Sequence, residues 1–212
     1  MRRVRWMPLL AILAACDSPV GLDVDMDQFD AIPALEALSI ANLQPASNWD
    51  YWELRRVMPG GPMPDRVVGS GGPLSRAQLP PAATAELDVL APQSGFAIGC
   101  LPGYCFSFIA AVRDDEVTTF LDLDALRSFI GVVDTMEEAA LLVHAMGYQW
   151  DMDHEATGVR ALSDGGWEFI VTMLVRDCAP IQYDRVLLRV DRPGTVSVRG
   201  REVWQRHEGA CI

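Results

Sequence analysis

Four groups of residues have types and spacings that could do chemistry. Cys100, Cys105, Cys178 and Cys211 form an even set behind a fifth cysteine at position 16. Cys100 and Cys105 flank a Pro-Gly turn, so a local bridge closes easily, and Cys178 paired with Cys211 would tie the last strand back onto its sheet. Three pairings of four cysteines exist, and this is the expected one. Redox or zinc chemistry would want Cys-x-x-Cys spacing or nearby histidines, and the sequence has neither. In WDMDHE, residues 150–155, an extended chain would put Asp151, Asp153 and Glu155 on one face, with His154 opposite. A calcium ion needs roughly six to eight oxygens around it, and an acidic surface turn explains the same letters. In NWDYWE, residues 48–53, Trp49, Tyr51 and Trp52 beside acids resemble the stacking-plus-carboxylate arrangement of sugar-binding surfaces. Packing of Trp49 and Tyr51 on one side of a strand and Trp52 on the other accounts for them equally. Finally, aligning the apolar faces of the last hairpin pairs Val190 with Val196 and Leu188 with Val198. That register gathers Arg185, Arg189, Arg199 and Arg201 on the opposite face. Four guanidiniums together could bind an anion, unless neighbouring Asp and Glu neutralise them.

Several reactions are excluded outright. All 17 basic residues are arginine, and there is no lysine. Schiff-base and pyridoxal-phosphate catalysis, the phosphate-binding P-loop and the Ser-x-x-Lys nucleophile all require that amine. No His-Glu-x-x-His pair is present to hold a catalytic zinc. No Gly-x-Ser-x-Gly elbow is present, and Ser70 lies in a glycine run that cannot fix a hydroxyl. No cofactor is expected. The expectation is a binding or structural module. The alternative is an extracytoplasmic enzyme, such as a hydrolase, whose residues come together only in the fold.

The cysteine at position 16 has its own context. Arg2, Arg3 and Arg5 precede a ten-residue apolar stretch, 6–15, that ends in small residues. This is the layout of an export signal, and it falls short of the ~20 apolar residues needed to span a bilayer. Leu13-Ala14-Ala15-Cys16 closely resembles the lipobox of bacterial lipoproteins. The resemblance covers only the first sixteen residues. It implies cleavage of residues 1–15, acylation of Cys16, and a protein held by lipid in the cell envelope, facing the periplasm or the surface. Asp17 resembles the signal that retains lipoproteins of enteric bacteria in the inner membrane.

Without the leader, 14 arginines stand against 29 acids, a net charge of −15. A nucleic-acid binder needs a basic face to displace counterions, so nucleic acid is not an expected partner. The expected partners are the membrane, through Cys16, and an envelope protein or glycan.

The elements that must position these residues are legible in outline. Residues 16–30 read as an acidic, flexible tether. Asp23, Asp25 and Asp27 begin like a calcium-binding EF-hand loop, but Gln28 and Ala34 stand where that loop needs glycine and glutamate. Residues 31–85 read as irregular, with a short helix over 32–43 and a strand from 51 to 58. Within them, 59–82 hold 11 Pro or Gly in 24 positions and read as a disordered loop. Residues 86–212 are expected to be the packed domain. A buried strand spans 106–112, Asp114 and Asp115 turn it into a second, and Thr135 with Glu138 caps the main helix. Alternation over 167–175, 186–190 and 196–203, broken by a bulge at Gly200, gives an antiparallel meander. The expected fold is α+β: an antiparallel sheet with one main packed helix, braced by disulfides.

Overall fold

The strongest helix signal in the chain sits at the centre of the molecule. In the computed structural model, which describes residues 22–34, 42–59, 66–99, 105–150, 156–209 and 211, helix α3 runs Met136–Ala145. Thr135 Oγ1 accepts the Glu138 N–H at 3.2 Å, and Glu138 Oε2 accepts the Thr135 N–H at 3.0 Å, a reciprocal capping box. Gly147, at φ +86°, follows the last turn in the left-handed conformation that ends many helices. Residues 138–143 are buried at every consecutive position, so the middle of α3 is enclosed on all sides, and only its ends, at Met136, Glu137, His144 and Ala145, are half-exposed. A helix of that kind must be covered all round. Helix α2 (Leu123–Ile130) lies beside it, capped by Asp122, whose carboxylate accepts the Ala125 N–H at 2.8 Å.

Two antiparallel sheets supply the cover. The first contains β1 (Tyr51–Val57), β2 (Arg66–Gly71), β3 (Phe96–Gly99), β4 (Cys105–Arg113) and β5 (Glu116–Phe120), in the order β2-β1-β4-β3 with β5 also on β4. One edge of β4 pairs with the whole of β1; its other edge is shared, first by β3 and then by β5. Both faces of β4 are buried, which is why it reads as an unbroken apolar run. Ile109 and Ala111, with Trp52 and Leu54, face α2 and α3. Phe106, Phe108, Ala110 and Val112 face the other way, onto Ala83 and Leu87 of helix α1 (Pro81–Val89).

The second sheet is a meander, β6 (Gly158–Ala161), β7 (Trp167–Arg176), β8 (Ile181–Val190) and β9 (Val196–His207). Phe169, Val171, Val186, Leu188 and Val190 point into the core shared with α2 and α3. The layers are therefore α1, first sheet, α2 with α3, and second sheet. Past β9, Cys211 bonds to Cys178 and fastens the chain end beside β7 and β8. Closing this loop, across a separation of 33 residues, contributes about 4 kcal/mol by chain entropy. Among the described residues, no helix is long and apolar enough to cross a membrane.

A fifth layer was not expected. Leu22, Val24 and Met26 are half-buried, while the alternating Asp23, Asp25 and Asp27 are exposed. This strap crosses the outer face of the second sheet. Leu22 sits over Gly200 and its N–H donates to Glu202 Oε2 at 3.0 Å. At the far side Phe29 lies over Gly158, Arg160 stacks on the Phe29 ring, and Asp30 exchanges two backbone hydrogen bonds with Val159. The acidic segment is thus docked from residue 22 onward rather than a free tether, because its period-two apolar side finds a sheet to cover.

The structure corrects other expectations. Residues 66–71, inside the stretch expected to be a disordered loop, form β2. The packed body begins well before residue 86, since β1 is an inner strand of the first sheet. The main helix has two companions, α1 and α2. Of the expected helix over 32–43, Ile32 and Leu43 are buried in the core, and residues 35–41 lie outside the described set. The leader with Cys16 also lies outside it.

The strap makes a prediction. A Cβ at residue 158 would stand 2.7 Å from Phe29 Cβ and 3.3 Å from the Asp30 carbonyl oxygen, neither of which can swing aside. At residue 200 it would meet only a terminal methyl of Leu22, at 2.5 Å. Gly158→Ala should therefore cost about 1–3 kcal/mol and expose the strap to protease, while Gly200→Ala costs less. Melting curves and limited proteolysis of the two variants check the order.

Candidate functional site

The densest set of ionisable groups lies where the sequence suggested a sugar-binding surface. Tyr51, Glu53 and Arg55 occupy alternate positions of β1, so all three side chains project from one face, the face covered by α1. Glu53 is wholly buried. Its Oε2 accepts the Tyr51 hydroxyl at 2.7 Å and Arg76 Nη1 at 3.0 Å. Its Oε1 accepts Arg55 Nε at 2.6 Å and also faces Arg55 Nη2. Arg55 continues to the Leu87 carbonyl at 2.8 Å, and Arg76 to Asp88 at 2.6 Å. Two arginines and two acids cancel, and every Glu53 lone pair is engaged. A carboxylate so placed has no electron pair to offer a substrate; it clamps α1 onto the sheet. Trp52 points to the opposite face, and Trp49 packs with it on Phe129 and Phe120. The three aromatic residues therefore form no common platform. Alternation along the strand separates Tyr51 from Trp52 as expected, but Trp49 lies with Trp52 rather than with Tyr51.

The hairpin arginines are placed differently from the expected register. Val190 pairs with Val196 and Leu188 with Val198, as the apolar faces require. Arg199 is then an extra, bulged residue, so Gly200 pairs with Leu187, Arg201 with Val186 and Glu202 with Arg185. A one-residue insertion exchanges faces for everything beyond it. Arg201 consequently lies on the inner face, where it bonds the buried Asp184. Arg185 stays outside, paired with Glu202 at 2.8 Å and stacked on Trp204. Arg189 pairs with Asp164, whose carboxyl is held below the usual range by the Gly166 N–H and then by this guanidinium. Only Arg199 of the four has no ion pair among the described residues. The fourfold anion-binding face is not assembled.

The remaining candidates are dispersed. His144 packs its ring edge-on against Trp150, and His207 lies exposed at the end of β9 beside Gln205. His154 lies outside the described residues, as do Asp151, Asp153 and Glu155, while Trp150 is buried. Asp25 uses its carboxylate on the Asp27 N–H and the Gln28 amide. Among the described residues, no cluster of His, Cys, Asp and Glu could hold a metal ion. Cys105 is disulfide-bonded, and Cys100 lies outside the described residues. A groove of about 310 Å³ opens between β3, the start of α2 and the end of α3, lined by Phe96, Ala97, Leu123 and Met146. Its sole carboxylate, Asp122, is already spent on the helix cap.

Sequence reasoning missed the buried acids Glu53 and Asp184, and it placed Glu138 in the helix cap without its burial or its bond to Gln44. The signal was an acid at the i±2 position of an apolar face: Tyr51-x-Glu53-x-Arg55 and Asp184-x-Val186-x-Leu188. Comparison with known proteins finds no matching family, no curated relative and no matching solved structure.

The Glu53 cluster has a pH signature. Burial first, then the hydrogen bond and charge of Glu53, push the Tyr51 hydroxyl up to about 12. In the unfolded chain it titrates near 10. The stabilisation is complete below about pH 10 and is lost as pH rises through about 12, where the unfolded state sheds its proton first. A difference of that size corresponds to about 3 kcal/mol. Tyr148, also raised by burial, adds to the same alkaline decline. Urea unfolding from pH 9 to 12 should show the steep leg in wild type and a clearly shallower one in Tyr51→Phe.

Proposed function

We propose that this chain is a lipid-anchored protein of the bacterial cell envelope, acting as a binding or structural module rather than a catalyst. The observation that carries the reading is the leader ending in Leu13-Ala14-Ala15-Cys16. The Cys178–Cys211 disulfide supports it, because such bonds persist in exported proteins and are rare in the cytosol. The state of the acids supports the non-catalytic part. Glu53, Glu138 and Asp184 are all engaged by donors within the fold. Only six positions separate Cys16 from Leu22 in the sequence, which supports a module built to sit close to a membrane.

Two measurements test this. Cys16→Ser removes the acylated thiol, so the variant should move from the detergent phase to the aqueous phase while wild type stays in detergent. Equal partitioning of both into water would refute the anchor. Mass mapping of the unreduced mature protein should begin at an acylated Cys16 and show Cys100 joined to Cys105; free thiols there would count against an oxidising compartment.

A further inference from the structure

We propose that the exposed rim of β9, around Val198, Arg199 and Val203, is the surface that rests on the headgroup layer of the membrane carrying the anchor. This rests on the lipoprotein reading and adds an orientation to it.

The argument begins with reach. Leu22 is the first of the described residues, and it lies over β9, against Gly200 and Glu202. Cys16 precedes it by six positions. Six residues, fully extended, reach at most ~22 Å. A domain of this length has a radius of gyration of about 16 Å, hence a width of roughly 40 Å. The anchor therefore cannot pass around the molecule. The second sheet stays near the lipid, while α1, beyond the α2–α3 layer and the first sheet, lies roughly 30 Å further off.

Surface chemistry then decides which part of that side makes contact. The outer face carries the strap, whose exposed Asp23, Asp25 and Asp27 would be repelled by anionic headgroups. The β9 rim has the opposite character. Val198, opposite Leu188, and Val203, opposite Asp184, lie on the inner face of the sheet at this open edge, yet they are 55% and 49% exposed, large values for apolar residues on a strand. Arg199 between them is exposed and lacks an ion pair among the described residues. β9 is also the outermost strand of its sheet, but bulges at Arg199 and Trp204 break the regular edge that another strand would need. A bulged edge with apolar tips and a guanidinium that has no ion pair among the described residues suits a fluid, anionic, interfacial surface better than a β-strand. Tethering raises the local concentration of this surface to the millimolar range or above, so weak contacts suffice.

A photo-reactive benzophenone side chain placed singly at Val198, Val203 or Val89 tests the orientation in the full-length protein in its native membrane. Val89, on α1, is 76% exposed and serves as the matched control. Irradiation should give phospholipid adducts at 198 and 203 several-fold above those at 89. Arg199→Glu should lower the yield at 198 several-fold without changing the membrane fraction. Equal labelling at all three positions, or none at 198 and 203 in protein anchored through Cys16, would overturn the orientation alone. If Cys16→Ser leaves the protein's distribution unchanged, the anchor and the orientation fall together.

Discussion

A carboxylate sealed from water must be surrounded by donors, and Glu53 shows how much structure that requirement commands. Its neutralisation needs Arg55 from the same strand and Arg76 from the turn ahead of α1; Arg55 in turn needs the Leu87 carbonyl at the end of that helix. The cluster thus joins β1, the turn and α1 across one face of the first sheet. Removing one partner of such a buried pair commonly costs about 3–5 kcal/mol, because the charge left behind has no solvent. Glu138 applies the same constraint on the other side of that sheet. Its two oxygens accept backbone N–H groups from Gln44, Asp134 and Thr135, which fixes the chain before β1 against the start of α3. Asp184, held by Gln182 and Arg201, repeats it within the β8–β9 hairpin. Apolar burial supplies the driving force between layers, and these acids choose which surfaces meet.

What could be read in advance was local. The Thr135–Glu138 box, the Asp164-Gly165-Gly166 turn and the alternation of Phe169, Val171, Val186 and Leu188 each announce themselves within a few residues. What escaped depends on a partner far away in sequence. The Leu22, Val24 and Met26 stripe reads as part of an acidic tether until a sheet lies beneath it. β2 is rich in glycine and valine on an edge, where packing rather than propensity decides. The four-arginine register counts straight through the bulge expected at Gly200, although an extra residue at either 199 or 200 sets Arg201 opposite Val186 and so turns it inward. Tyr51, Glu53 and Arg55 were visible as letters, but their meaning depended on a helix that opens at Pro81.

The same economy limits what the molecule offers to ligands. The acids most shielded from water have their lone pairs taken, and three of the four hairpin arginines face carboxylates of their own fold. A surface charge of this kind interacts through arrangement and position more than through a reactive group.

The strap also bears on the order of assembly. Residue 22 emerges early in synthesis, yet its hydrogen-bond partner, Glu202, lies 180 positions later. Until β9 has been delivered, the apolar side of Leu22, Val24 and Met26 has no seat, and the second sheet lacks its outer cover. Contacts of such long separation form slowly, since the chain must close a large loop before they stabilise anything. The docking of this early segment is therefore completed last. A chain lacking residues 201–212 would lose Glu202, the hydrogen-bond partner of Leu22, and Cys211, the partner of Cys178, while the strap's contacts at Gly158 and Val159 remained.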